Sequence, residues 1–89
     1  MKIILLAHLK FQAKEREINL ELIEDTLLKP EQIVPDLKGL RVAQKKYFDH
    51  KKSKEYLVRV IFKESESSRI GITAYKTSKI KKYWEVKWE

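Results

Sequence analysis

The chain has 89 residues, of which 43% are hydrophobic and 37% charged, with no cysteine and two histidines. These values are typical of one folded cytoplasmic domain, and they argue against a disordered segment, a membrane protein, a disulfide framework, a cysteine nucleophile, a metal site or a bound cofactor. Residues 38–89 carry fifteen basic and six acidic side chains, a net +9, against −2 for residues 1–37, and a positive field of this size favours polyanionic partners.

The first third of the sequence predicts a short strand followed by two helices. The apolar run at residues 3–6 fits either a strand or a first helical turn, and we favour a strand. Good helix formers occupy residues 8–16. Asn19 can cap a second helix over residues 20–29, and Pro30 ends it.

The rest of the chain predicts an antiparallel sheet. Residues 33–34 can form a short edge strand, and longer extended runs follow at residues 40–48, 56–63 and 69–77. Their connections are short and polar, which favours hairpins. We therefore expect an α+β domain in which two N-terminal helices pack on one face of a three- to four-stranded antiparallel sheet.

Alternation along the three runs assigns each side chain to a face of this sheet. The apolar set predicted to pack on the helices is Leu40, Val42, Val58, Val60, Phe62, Ile70, Ile72 and Ala74. The set predicted on the other face is Arg41, Ala43, Lys45, Tyr47, Leu57, Arg59, Ile61, Arg69, Gly71, Thr73 and Tyr75.

The second set is rich in arginine and tyrosine. Arginine binds phosphate through paired hydrogen bonds, and tyrosine offers a stacking surface for an unpaired base, so this face suits single-stranded RNA. The alternative is an exposed antiparallel face whose aromatic and arginine pairs only stabilise neighbouring strands.

A basic and aromatic cluster follows the last predicted strand at residues 78–84. Its lysines, Lys79, Lys81 and Lys82, are expected to contact phosphates. Trp84 and Trp88 are expected to anchor the tail to the body of the domain.

His8 is a candidate proton acceptor because a helix N-terminus disfavours the imidazolium form, although a capping or packing role is the simpler interpretation. His50 is expected to be a solvated turn residue. The sequence has no GxSxG, P-loop or HExxH pattern, so it gives no support for hydrolases of those types, NTPases or zincins.

Several segments together resemble the domain of unknown function family 4258: His8 and residues 16–19, 27–30, 33–34, 43–45, 57–60 and 72–78. That family is similar to BrnT and, more distantly, to the RelE and ParE toxins, which include metal-independent ribonucleases. The resemblance implies a cleft on the sheet face turned away from the helices. It also implies that Arg59 and Tyr83 match the cleft arginine and terminal tyrosine of RelE-type enzymes, and that His8 matches the N-terminal histidine. Glu17 replaces a glycine common between the two helices.

These observations lead to the hypothesis of a toxin-like, metal-independent RNA endonuclease. Arg59 and Lys45 would hold the phosphate, and Tyr75, Tyr83 or His8 would exchange protons. The residues expected to steer the strand are Arg41, Arg69, Lys79, Lys81 and Lys82. The expected partners are single-stranded RNA, with or without the ribosome, and an antitoxin protein. Two alternatives remain: a non-catalytic nucleic-acid binder, and a protein-interaction module for an acidic partner.

Overall fold

A computed structural model describes residues 1–86 as one five-stranded sheet with three α-helices. The elements in chain order are β1 (Lys2–Leu5), α1 (Ala7–Glu15), α2 (Leu20–Leu28), β2 (Gln32–Pro35), a 3-10 turn (Leu37–Gly39), β3 (Arg41–Asp49), β4 (Lys54–Ser65), β5 (Ser68–Thr77) and α3 (Ile80–Tyr83). The strand order across the sheet is β1-β5-β4-β3-β2.

The predicted architecture, three to four antiparallel strands with two helices, was wrong. The sheet is mixed, because β1 pairs in parallel with β5 while the other neighbours are antiparallel, and α3 adds a third helix. A parallel pair needs a long connection between its strands. Strands β1 and β5 lie at opposite ends of the sequence, so inspection of neighbouring segments could not pair them.

Helices α1 and α2 are joined by a tight left-handed turn at Glu17, whose φ is 55°. The N–H of Ile18 donates to the carbonyl of Ala13 at 2.8 Å, and the N–H of Glu17 donates to that of Lys14 at 3.3 Å. This is the Schellman arrangement, which usually places glycine at the left-handed residue. The turn therefore forms without glycine, held by these bonds and by the burial of Ile18.

The main core lies between the two helices and one face of the sheet, which we call the helix side. The side chain of Asn19 caps α2 by accepting from the N–H of Glu21 at 2.8 Å, so the apolar stripe of α2 is aligned from its first turn. The buried residues of this core are Leu9, Ala13, Ile18, Ile23, Leu27, Ala43, Val58, Val60, Phe62 and Ala74.

The face of β3 that packs against the helices is the opposite of the predicted one. Ala43 is opposite Val60 and is fully buried on the helix side, whereas Val42 and Gln44 are buried on the other face of the sheet, which we call the outer face. Both sides of β3 are therefore covered. Alternation identifies the core face of a strand only when the other face is solvated.

Strand β5 changes face through a β-bulge. Ile61 is opposite Thr73 but Phe62 is opposite Gly71, which leaves Ile72 as an extra residue. Thr73 and Tyr75 consequently lie on the outer face, while Gly71 lies on the helix side, where an added Cβ would be 2.9 Å from Leu9 Cδ1. Arg69 also lies on the helix side because a bulge shifts the alternation by one residue.

Helix α1 covers the part of β5 that β1 does not reach. The backbone N–H of Ala74 donates to Gln12 Oε1 at 3.3 Å, and its carbonyl accepts from Arg16 Nη1 at 2.7 Å. These contacts satisfy a strand edge that would otherwise be free to pair with another chain. Among residues 1–86, no helix is long and apolar enough to cross a membrane.

Candidate functional site

Three polar side chains form a row across the middle of the outer face. Gln44 on β3 is opposite Arg59 on β4, and Arg59 is opposite Tyr75 on β5. Residues paired across strands project from the same face, so the sheet itself brings these three groups together. The bulge in β5 is what places Tyr75 in this row.

Arg59 is held by both neighbours. Its Nε donates to Gln44 Oε1 at 2.8 Å, and its Nη1 donates to the hydroxyl oxygen of Tyr75. Guanidinium has five N–H donors, so these two bonds leave others to bind a ligand. No buried side-chain nitrogen or oxygen in residues 1–86 lacks a hydrogen-bond partner. Nη2 of the half-buried Arg59 makes no hydrogen bond within these residues, so this atom is exposed to solvent.

Helix α3 brings a second tyrosine to this row. The Tyr83 ring centroid lies 4.2 Å from Arg59 Cζ, and the Tyr75 and Tyr83 rings meet edge to face at 6.3 Å. The carbonyl of Tyr83 accepts from Gln44 Nε2 at 3.0 Å, which fixes the end of α3 against the sheet. We call Gln44, Arg59, Tyr75 and Tyr83 the Arg59 cluster.

Gln44 organises the Arg59 cluster, and the sequence analysis missed it. Its side chain is fully buried, it accepts from Arg59, and it donates to Tyr83 and to Gln32 Oε1, the latter at 2.8 Å. Gln32 in turn bonds the backbone of Glu85, so a relay of two amides ties β2, β3 and the C-terminal segment together. A correct face for β3 would have placed Gln44 beside Arg59.

The charge of Arg59 is not neutralised within residues 1–86. The three ion pairs found there join Arg41 and Arg69 to Glu64 and Lys45 to Asp25, and none of them includes Arg59. A half-buried cation without a carboxylate attracts an anion strongly, because the surrounding protein screens its field less than water does.

A basic groove of about 610 Å³ opens between α3 and the β3–β4 hairpin. Its charged lining is four lysines and one acid, Lys46, Lys79, Lys81, Lys82 and Glu55. The three predicted phosphate-contact lysines of the C-terminal cluster therefore lie together, and the structure adds Lys46, whose Nζ is 3.9 Å from the centroid of the Trp84 ring. Trp84 is half-buried, and Trp88 lies outside the described residues.

Lys45, predicted to hold the phosphate, lies on the helix side. Its Nζ donates to Asp25 Oδ2 on α2 at 2.5 Å, and this hydrogen bond lowers the pKa of the Asp25 carboxyl below its ordinary value of 3.8. The prediction was wrong because it rested on the wrong face for β3. Lys45 cannot contact a phosphate bound at Arg59, since the sheet lies between them.

Arg41 and Arg69, predicted to steer the strand, also lie on the helix side. Both bond Glu64, each at 3.2 Å, and Arg69 also donates to the carbonyl of Leu27 at 2.7 Å and stacks over Phe62. They form a structural ion triad at one end of the sheet. The prediction that both lie on the outer face was wrong. For Arg41 the two faces of β3 were exchanged, and for Arg69 the bulge in β5 shifts the alternation.

His8 lies in the first turn of α1, exposed to solvent. Its Nε2 is 3.0 Å from Nε2 of Gln12, which contacts Thr73 and Ala74 at the β5 edge. His8 makes no hydrogen bond to the Arg59 cluster; it does not cap α1, whose N-cap is Leu6, and its bond is to Gln12 one turn along the helix.

Comparison with known proteins adds no assignment: no protein-family model, curated protein or solved structure matches this chain. Residues 1–86 also contain no group of three His, Asp or Glu side chains arranged to hold a metal ion. The family resemblance read from the sequence stays a prediction. The candidate site therefore consists of Arg59, Tyr75, Tyr83 and the lysines of the groove.

Proposed function

We propose that this protein binds single-stranded RNA along the basic groove and cleaves it at the Arg59 cluster without a metal ion, as the toxin of a toxin-antitoxin pair. The observation that carries this proposal is the half-buried Arg59, held by Gln44 and Tyr75 and unpaired with any carboxylate in residues 1–86. An oriented cation of this kind stabilises the charge that develops on a phosphate during cleavage.

The reaction is an internal transesterification of RNA. The 2′-hydroxyl loses its proton to a base and attacks the adjacent phosphorus, the bond to the 5′-oxygen breaks, and that oxygen takes a proton from an acid. The products are a 2′,3′-cyclic phosphate and a 5′-hydroxyl. The free N–H donors of Arg59 bind the non-bridging oxygens.

Tyr75 is the favoured acid on geometric grounds. Its hydroxyl oxygen accepts from Arg59, which leaves its own O–H free to donate to the departing 5′-oxygen. Tyr83 stands over the same guanidinium and is the nearest second group that exchanges protons. The lysines of the groove bind the flanking phosphates, and an acidic antitoxin would be attracted to the same surface.

One observation favours a second function, RNA binding without cleavage. Among residues 1–86, no imidazole or carboxylate hydrogen-bonds to the Arg59 cluster, whereas His8 and the Lys45–Asp25 pair lie elsewhere. The cluster therefore lacks the side chains that most often serve as general bases. On this account Arg59 and the tyrosines bind a phosphate and its base in the ground state only.

The deciding experiment incubates the protein with end-labelled single-stranded RNA in excess chelator, with and without ribosomes. Cleavage predicts products that end in a 2′,3′-cyclic phosphate, and a substrate with 2′-deoxyribose at the cut position must resist. Binding without products, in both arms, would support the second function. An absence of RNA binding even at low salt would reject both functions.

A further inference from the structure

A stacked tyrosine pair lies on the helix side at the end of the β3–β4 hairpin. Tyr47 and Tyr56 are directly opposite in the register, and their ring centroids are 5.9 Å apart at an interplanar angle of 26°. Tyr47 packs against the main core and is the fixed member of the pair, while Tyr56 is half-exposed. We call them the hairpin tyrosine pair.

Two lysine ammonium groups reach over Tyr56. Lys52 Nζ is 5.8 Å and Lys76 Nζ is 5.4 Å from the centroid of its ring. The backbone positions of the turn are fixed, because Asp49 Oδ1 accepts from the N–H groups of Lys51 and Lys52 at 2.9 and 3.1 Å. Lys76 Nζ also donates to the exposed carbonyl of Glu17 at 3.4 Å. A planar ligand on the ring would move both ammonium groups toward its own charge, because lysine side chains have rotatable stems.

The hairpin tyrosine pair lies on the opposite face of the hairpin from the basic groove. Glu55, the neighbour of Tyr56 in the chain, lines that groove together with Ser78, which follows the end of β5. Tyr56 and Arg59 are three residues apart on β4, about 10 Å along the strand, and project from opposite faces. A strand that leaves Arg59 through the groove reaches Tyr56 by passing around the end of the sheet.

We propose that the hairpin tyrosine pair is a second nucleotide subsite, in which an unpaired base of the same RNA strand stacks on Tyr56 while Lys52 and Lys76 bind its flanking phosphates. The inference rests on the proposed RNA binding but not on cleavage. An aromatic surface beside two ammonium groups matches the two parts of a nucleotide, a planar base and its anionic backbone. An acidic peptide would satisfy the lysines and leave the aromatic surface unused.

The test measures binding of a 2′-O-methyl oligouridine of about ten nucleotides, a length within the range of small single-strand sites. This probe has no free 2′-hydroxyl and cannot be cleaved. We expect Tyr56→Leu to weaken binding about five- to tenfold, because stacking of one base is lost. Tyr56→Phe keeps the ring and should bind like the wild type. Phe11→Leu is the matched control, since Phe11 is an exposed aromatic on α1, away from the hairpin and the groove.

Wild-type affinity in Tyr56→Leu, or an equal loss in Phe11→Leu, would overturn the subsite while leaving the proposed function intact. Failure of the wild type to bind the probe at low salt would instead reject RNA binding itself. If Tyr56→Leu does not fold, Lys76→Gln decides. This variant should weaken binding and reduce the dependence of log Kd on log salt concentration by about one. An unchanged salt dependence would also overturn the subsite.

Discussion

The guanidinium of Arg59 and the ring of Tyr83 lie against each other, with 4.2 Å between Cζ and the ring centroid. Arg59 comes from the central strand and Tyr83 from the last helix, so this contact joins the two parts of the outer face that carry its chemistry. The ring shields one side of the cation, so a phosphate must approach from another side. The position of α3 therefore determines access to Arg59.

Gln44→Leu tests how far the positions of Arg59 and Tyr83 depend on Gln44, because the variant leaves the charge of the Arg59 cluster unchanged. The variant removes the acceptor of Arg59 Nε and the donor to Tyr83, leaving both groups without their partners. We expect a loss of about 1–3 kcal/mol in the free energy of unfolding, measured by chemical denaturation, together with slower RNA cleavage. Gln32→Leu leaves the bond to Arg59 in place and should affect cleavage less. Equal effects of both variants on cleavage would argue against a special role for Gln44.

Lys45→Met should leave the cleavage rate unchanged, because Lys45 faces the helices. Its effect falls on Asp25, whose pKa should rise toward the ordinary value of 3.8 when the hydrogen bond from Lys45 is lost. NMR titration of the Asp25 carboxyl measures this shift.

The sign of the pH effect follows from linkage. The folded pKa of Asp25 is below its unfolded value, so the pair stabilises the fold above about pH 3.8 and this contribution is lost as the pH falls through the lowered folded pKa. Wild type should therefore lose more stability than Lys45→Met on acidification across this range. Loss of cleavage in a folded Lys45→Met variant would contradict the placement of the site on the outer face.

Lys81→Ala combined with Lys82→Ala should weaken RNA binding and reduce the dependence of log Kd on log salt concentration by about one to two. These lysines line the groove and make no hydrogen bond to Arg59 or Tyr75, although Lys82 Nζ is 5.3 Å from the centroid of the Tyr83 ring, so turnover at saturating RNA should change less than affinity. The control is Lys2→Ala with Lys10→Ala, which makes the same change in charge on exposed lysines of β1 and α1. An unchanged salt dependence in the groove variant would remove the groove from the RNA path.

The sequence carried local information well and long-range information poorly. Asn19 and Pro30 bracket a helix in the structure, and the three longest extended runs correspond to β3, β4 and β5. The parallel pairing of β1 with β5 was missed because it joins segments more than sixty residues apart.

The site was anticipated only where the strand phase was right. Arg59, Tyr75 and Tyr83 meet, since β4 and the C-terminal half of β5 were assigned to the correct faces. Lys45 was misplaced because both faces of β3 are covered. Arg69 was misplaced because the strand was assigned regular alternation through Gly71, although glycine inside a strand often marks a bulge. Gln44 carries no charge or aromatic ring, so composition did not single it out.

Gly71→Ala tests the packing that accompanies the bulge. An added Cβ would meet Leu9 Cδ1, Leu5 Cδ2 and Leu27 Cδ1 at 2.9, 3.0 and 3.2 Å. Three side chains of a packed core cannot all move aside without cost, so we expect destabilisation of about 1–3 kcal/mol by thermal or chemical unfolding. In a double-mutant cycle, Gly71→Ala and Leu9→Ala should together cost less than the sum of the two single variants, because the shortened side chain makes room for the added Cβ. Stability equal to wild type in the single variant would show that the bulge leaves more room.

The central claim is that Arg59 stabilises the transition state of RNA cleavage, and the most direct measurement is the single-turnover cleavage rate of Arg59→Lys in excess chelator with saturating protein. Lysine keeps the charge but cannot bond Gln44, Tyr75 and a phosphate in the same fixed geometry. We predict a rate at least about 100-fold below wild type, with RNA affinity reduced only a few-fold, circular dichroism matching wild type, and cleavage measured well below the melting temperature of the variant. Arg41→Lys, on the helix side, should cleave normally. Cleavage by folded Arg59→Lys at the wild-type rate would contradict the account.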